Sequence, residues 1–205
     1  MNTESMLPTG KMLWIDACIS PRGADSRTLG LAYAFLDGFR EARPHDSYLA
    51  LQVQKQGLQP FTEEMVRERD ALSAAGNFSG PLFEQARVFR EAEEILVTAP
   101  FWDLSFPAAL RVYIEHISAC GLCYHYEADG CHGDCKAKRL AYLTTGGDFE
   151  KPESLGVLYW KQLAAMFGIP RFDYVFAGGL DVDPSKAREI LSEAKEKARQ
   201  LGREF

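Results

Sequence analysis

Apolar runs and amphipathic stretches alternate along this chain from its first residues to its last. Lys11–Ile19 (KMLWIDACI) is a short apolar run with an embedded Asp16, and it predicts a first strand. Ser26–Arg40 follows, with Leu29, Ala32, Tyr33, Leu36 and Phe39 near helical spacing. Ser47–Val53 (SYLALQV) alternates as a second strand does. Residues 62–75 set Met65 and Leu72 among charges at helical spacing, and a break at Gly76–Pro81 precedes another helix over 81–92. Glu94–Ala99 (EILVTA) reads as a buried third strand stopped by Pro100. Pro107–Ala119 opens with proline in a first helical turn, with Ala108, Val112 and Ile117 on its apolar side. Residues 120–136 are a Gly- and Cys-rich excursion with no assigned element. Arg139–Thr145 (RLAYLTT) is a fourth strand ended by Gly146–Gly147, followed by an apolar, aromatic helix over Leu155–Phe167. Phe172–Ala177, ended by Gly178–Gly179, is a fifth strand, and Pro184–Gly202 a charged closing helix.

Five strand–helix repeats predict parallel pairing in an open α/β sheet, with right-handed crossovers placing helices on both faces. The 205 residues suit one domain over 1–205, large enough for a single core. A net charge of −6 argues against a general affinity for nucleic acid while leaving local phosphate binding open. No run approaches the roughly 20 apolar residues of a membrane span, and the N-terminal stretch has no basic-then-apolar signal pattern. A cytoplasmic protein without membrane contact is expected. Five cysteines, an odd number, fit free thiols in a reducing compartment better than paired bridges.

In open α/β sheets ligands bind beyond the carboxyl ends of the strands, near the switch in strand order. Three segments fall there. Ser20-Pro-Arg-Gly-Ala-Asp-Ser-Arg-Thr28 offers hydroxyls at Ser20, Ser26 and Thr28, charge at Arg22 and Arg27, a turn at Gly23, and the following helix N-terminus. Its alternative is a plain helix cap by Asp25 or Ser26. Ala99-Pro-Phe-Trp-Asp-Leu-Ser-Phe-Pro107 is a strongly aromatic loop, which suits a flat ring ligand or an aromatic plug over the core. Leu143-Thr-Thr-Gly-Gly-Asp-Phe149 adds hydroxyls at Thr144 and Thr145 and a glycine pair that permits close backbone approach, or is an ordinary turn. Together the three describe a site for a phosphorylated planar cofactor.

The stretches SPRGADSRT and APFWDLSFPAALRVYIEHI, then G-x-C-Y-x-Y-x-x-x-G and K-x-x-x-x-Y-x-T-T-G-G, occur in an order that resembles the flavodoxin-like FMN-dependent NAD(P)H oxidoreductases of the quinone reductase and azoreductase branch. The resemblance implies a flavodoxin-like α/β fold, a five-stranded parallel sheet with helices on both faces. It implies FMN as cofactor, NADH or NADPH as electron donor, and a small-molecule quinone, azo or nitroaromatic acceptor served by ping-pong hydride transfer. By the same resemblance Ser20, Ser26, Arg27 and Thr28 would bind the FMN phosphate. Pro100, Phe101, Trp102, Asp103 and Leu104 would border the ribityl chain and ring, and Thr144, Thr145, Gly146 and Gly147 the other edge of the ring. Tyr126 would lie on the substrate side, and a homodimer would complete each site. The flavin carries the chemistry, so no catalytic side chain is expected. This chain has Trp102-Asp103 where Tyr-Asn is frequent, which leaves a carboxylate beside the flavin, and Thr145 where Arg often precedes the glycine pair.

Two other readings compete. A flavin-binding electron carrier without turnover would share the fold. A metal-binding protein would use Cys120, Cys123, Cys131 and Cys135, with His125 and His132 between them, although C-x-x-x-C in the second pair departs from the usual zinc spacing. The expectation is thiols rather than a metal site. Asp16 is expected to be a strand carboxylate with a local partner, and His45 and His116 surface or helix histidines.

Overall fold

A computed structural model describes residues 12–20, 22–150 and 154–205; Lys11 of the expected first strand and Pro21 of the expected phosphate loop lie outside the described residues. Five parallel strands form one sheet in the order β2-β1-β3-β6-β7: β1 (Met12–Asp16), β2 (Tyr48–Gln52), β3 (Glu94–Thr98), β6 (Arg139–Thr145) and β7 (Arg171–Ala177). β1, β3 and β6 are buried almost throughout, which is why they read as continuous apolar runs rather than alternating ones. The helices are α1 (Arg27–Ala42), α2 (Glu63–Ala74), α3 (Glu84–Glu91), α4 (Ala108–Ile117), α5 (Leu155–Met166) and α6 (Ala187–Glu204). All elements expected from the hydrophobic pattern are present, with ends shifted by a few residues. The helix expected over 81–92 opens as a 3-10 turn at Pro81–Phe83 before α3.

The two sheet faces have separate cores. α1 and α6 cover one, where Leu31, Phe35 and Phe39 pack with Met12, Leu96, Leu143 and Phe205. α3, α4 and α5 cover the other, with Phe83, Phe89, Tyr113 and Trp160 against Ile15, Val97 and Tyr142. α1 and α6 approach closely enough that a Cβ on Gly38 would stand 2.0 Å from the Arg199 carbonyl oxygen, and one on Gly202 2.0 Å from that of Phe35. At the amino end of the sheet the Glu94 carboxylate is only 9% exposed and takes hydrogen bonds from Arg43 Nη1 and Nη2 (2.8 and 3.0 Å) and Arg139 Nε (3.1 Å).

The 120–136 excursion contains structure that the sequence pattern did not reveal. β4 (Tyr124–Glu127) and β5 (Gly130–Gly133) form an antiparallel hairpin with Ala128–Asp129 at its tip. It rests on the end of α5, where a Cβ on Gly133 would meet the Phe167 and Gly168 backbone at 2.0 Å. The four cysteines do not gather. Cys123 is buried with its thiol donating to the Ala86 carbonyl at 3.4 Å, Cys135 is half-buried beside it, and Cys120 and Cys131 are exposed. His116 is not at the surface. It is 7% exposed, stacked on Phe61, with Nε2 2.9 Å from the Gln59 carbonyl oxygen. Its helix turns that position inward, which one titratable residue in an apolar stretch does not announce.

Candidate functional site

Counting only the sheet, the strand order is 2-1-3-4-5, so connections diverge to opposite faces between β1 and β3. The loops leaving these two strands therefore part at their carboxyl ends and open a crevice. A cleft of about 210 Å³ lies there, lined by Cys18, Ser20, Arg22, Ser26, Arg27 and Thr28 from the loop after β1 and the start of α1. Pro100, Phe101 and Trp102 after β3, Thr145–Gly147 after β6, and Leu180 and Asp181 after β7 complete it. Three successive loops are stitched together beyond the strand ends: Phe101 N donates to Thr145 O at 2.9 Å, Gly146 N to Ala177 O at 2.9 Å, and Asp181 N to Gly147 O at 3.0 Å.

The first loop turns through Gly23, whose φ of +51° is a conformation glycine adopts without steric cost. Ser26 then caps α1, its Oγ accepting from Leu29 N at 3.3 Å. The cap and the phosphate-seat readings are therefore compatible, because the capping oxygen still carries a hydroxyl proton to donate. The first N–H groups of α1 have no intrahelical acceptor and bring the positive end of the helix dipole to the cleft. Thr28 and Thr145, both buried, join hydroxyls at 2.6 Å across the floor. Arg27 Nη1 donates to Asp181 Oδ1 at 2.8 Å.

The second loop supplies the wall. The Phe101 ring packs edge-on against Phe176 at 5.3 Å, and a Cβ on Gly146 would stand 3.0 Å from Phe176 and 3.4 Å from Phe101. Trp102 is 41% exposed at the rim. Asp103 and Leu104 both have left-handed backbone (φ 49° and 66°), and Ser105 N donates to Trp102 O at 2.7 Å across them, as in a type I′ turn. Neither is glycine, so each conformation costs about 1–2 kcal/mol, strain held at the mouth of the cleft.

Cleft chemistry is set by donors rather than by a tuned acid or base. Burial first, then the charge of Asp16, push the Cys18 thiol up and keep it protonated. Asp16, 2% exposed, accepts from Cys18 N at 2.9 Å, the local partner its sequence position called for. Three hydroxyls, a guanidinium and a helix N-terminus fit a phosphate monoester. An adjoining wall of Phe101 and Trp102 fits a flat ring attached to it.

The cleft brings together Ser20, Ser26, Arg27, Thr28, Pro100, Phe101, Trp102, Thr145, Gly146 and Gly147. Four expected residues do not line it. Asp103 and the 65%-exposed Leu104 stand outside on the turn. Thr144 follows the strand alternation and faces the α4–α5 layer with Tyr142; both hydroxyls are buried and, among the described residues, have no hydrogen bond of ordinary geometry. Tyr126, 68% exposed, lies on the hairpin. Leu180 and Asp181 were missed in the sequence. The signal was present, since the Gly178–Gly179 loop also leaves the carboxyl end of a strand.

Fold and cleft together define a doubly wound, nucleotide-type binding protein, and the chain belongs to the flavodoxin-like fold family, whose model matches residues 10–201. Among individual relatives, it is 32% identical to FMN-dependent NADH:quinone oxidoreductase 2 of Clostridium acetobutylicum over 95% of this chain and 99% of that protein. It is 30% identical to the FMN-dependent NADH:quinone oxidoreductase of Clostridium beijerinckii, again over 95% and 99% of the two chains. Among solved structures, an azoreductase from Bacillus anthracis superposes with a TM-score of 0.84 at 24% identity, covering 96% of this chain and 100% of that one.

Proposed function

We propose that this chain is an FMN-dependent NAD(P)H oxidoreductase that reduces quinone, azo or nitroaromatic acceptors by ping-pong turnover. The observation that carries the reading is the convergence of a phosphate-type donor set and an aromatic wall in one cleft at the β1/β3 divergence. Relatives named for FMN-dependent NADH:quinone oxidoreduction align along nearly the whole chain, which supports it. The chemistry supplied by bound FMN is hydride uptake from NADH or NADPH and electron delivery to the acceptor.

The protein's part is to bind and orient. Ser20, Ser26, Arg27 and Thr28 would hold the phosphate by charge-assisted hydrogen bonds. Pro100, Phe101 and Trp102 would border the ribityl chain and ring, with Asp103 and Leu104 presented from the turn beyond the rim. Thr145, Gly146 and Gly147 would face the other edge, with Thr144 supporting them from the strand. At about 210 Å³ the cleft is smaller than the roughly 300–1,000 Å³ typical of sites for ligands of this size. A second surface over the cleft would complete a site of that size, and in the homodimer so formed a partner copy closes over the exposed Trp102 and Tyr126 borders the acceptor.

Five free thiols accord with a reducing, cytoplasmic setting. Among the described residues no helix is long and apolar enough to cross a membrane.

The test is the absorption spectrum of the purified protein, the identity of the flavin released from it, and steady-state oxidation of NADH and NADPH with a quinone. Parallel double-reciprocal lines are expected. A colourless protein that takes up no added FMN defeats the reading. A yellow protein that turns over no acceptor makes it an electron carrier instead.

A further inference from the structure

We infer that the outer face of the β4–β5 hairpin is a binding site for one divalent transition-metal ion of the zinc type, held by His125, Glu127, Asp129 and His132. This inference stands on the hairpin alone and is independent of the flavin reading. The excursion drew attention in the sequence for its cysteines, but among the described residues they form no ligand group. The residues that do converge are Glu127, Asp129 and His132, whose ligand atoms all lie within 4.8 Å of one another. His125 stands directly across from His132 in the hairpin register, the two rings stacked at 5.6 Å, and its Nε2 is 3.1 Å from Glu127 Oε1. His132 Nε2 is 2.8 Å from Asp129 Oδ1.

The register explains the convergence. Alternation along β4 puts His125 and Glu127 on one face, and pairing puts His132 on the same face from β5. The other face carries Tyr124, Tyr126 and Cys131. Asp129 enters from the tip.

Tetrahedral zinc with ligands at about 2.0–2.1 Å spaces them roughly 3.3–3.4 Å apart. Within each His–carboxylate pair, now at 2.8 and 3.1 Å, the atoms need to open by only a few tenths of an ångström, and His125 must swing in to join Glu127, Asp129 and His132, whose ligand atoms already lie within 4.8 Å of one another. The metal would replace the ring proton that bridges each pair.

A further residue is placed as an outer partner. Asp134 Oδ2 lies 2.7 Å from His125 Nδ1, which fixes that ring with Nε2 toward Glu127. This is the carboxylate–histidine arrangement that orients imidazole for metals. Two imidazoles beside two carboxylates favour zinc, nickel or copper over magnesium or calcium, which prefer all-oxygen sets. Bound there, the ion would tie β4, the tip and β5 together, and an isolated two-stranded hairpin is otherwise marginally stable.

The test uses untagged full-length protein titrated with Zn²⁺ by calorimetry, and with Co²⁺ to read coordination geometry. One equivalent is expected, with tetrahedral Co²⁺ bands free of thiolate charge transfer. Added Zn²⁺ should also slow proteolytic cleavage within 124–133. H132A and H125A should each abolish saturable binding, and D134N should weaken it about 10–100-fold. The Cys120→Ser, Cys131→Ser double variant should bind within about twofold of the parent. All four residues are at the surface, and thermal melting without added metal checks that the variants fold. Zinc binding that survives both histidine substitutions, binding lost with the cysteines, or no saturation up to roughly 100 μM Zn²⁺ overturns the inference.

Discussion

Asp181→Asn separates the two roles a carboxylate can play beside Arg27. Asp181 Oδ1 stands 2.8 Å from Arg27 Nη1, with the side chains 67% and 34% exposed, so the pair sits in near-aqueous dielectric and is weak by itself. If the FMN phosphate takes the free side of the same guanidinium, the two anions lie roughly 6 Å apart. Two unit charges at that distance repel by about 0.7 kcal/mol in water, and a phosphate of about −1.5 to −2 raises this to about 1.0–1.4 kcal/mol. Screening with a Debye length of about 8 Å at physiological salt leaves roughly 0.5–0.7 kcal/mol. Asp181→Asn should therefore tighten FMN binding about two- to threefold at physiological salt, and more at low ionic strength. Arg27→Ala removes a charge-assisted hydrogen bond of about 1.5–3 kcal/mol and should weaken FMN roughly 10–150-fold. Flavin fluorescence titration measures both. Riboflavin, which has no phosphate, is the internal control and should be unaffected by either change. The reasoning fails if Arg27→Ala weakens riboflavin as much as FMN. It also fails if Asp181→Asn weakens FMN, because Asp181 would then be aligning Arg27 rather than competing for it.

Three further outcomes follow from the packing and charge. Gly38→Ala places a Cβ 2.0 Å from a backbone oxygen of α6, and because the helices must separate, it should destabilise by about 2–3 kcal/mol and lower the melting temperature by roughly 5–10 °C. Glu94→Gln removes the nearly buried carboxylate that Arg43 and Arg139 share, leaving Arg43 the longer pairing with Asp46 at 3.6 Å, and should cost about 2–3 kcal/mol in urea unfolding with an unchanged m-value. Asp103→Asn removes a negative charge from the turn at the cleft mouth; a unit charge about 7 Å from a ring is worth about 0.6 kcal/mol in water, so the substitution should raise the flavin midpoint potential by about 10–15 mV in a dye-equilibration titration. An unchanged or lowered potential places Asp103 away from the flavin.

Sequence and fold met unequally in different parts of the chain. The five sheet strands and the helices between them were legible because burial leaves a periodic trace: β3 and β6 had to be apolar on both faces, and α1 on one. The Ser20–Thr28, Pro100–Trp102 and Thr145–Gly147 segments were legible as a site because a parallel α/β sheet sends those loops to one edge. What the hydrophobic pattern could not register was anything depending on which residues of separate segments come to face one another. Asp181 joins the cleft through Arg27, 154 positions away in the chain. His116 turned out to be buried under Phe61, although one position in an amphipathic helix does not specify its depth. The 120–136 excursion read as a cysteine cluster because C-x-x-C is visible along the chain, whereas the convergence of Glu127, Asp129 and His132, with His125 beside them, exists only in the hairpin register. Local periodicity reports how deeply each segment is buried, and so it determined the elements and their order. Contacts between distant segments are decided by strand order and register, which arise only when the whole sheet assembles.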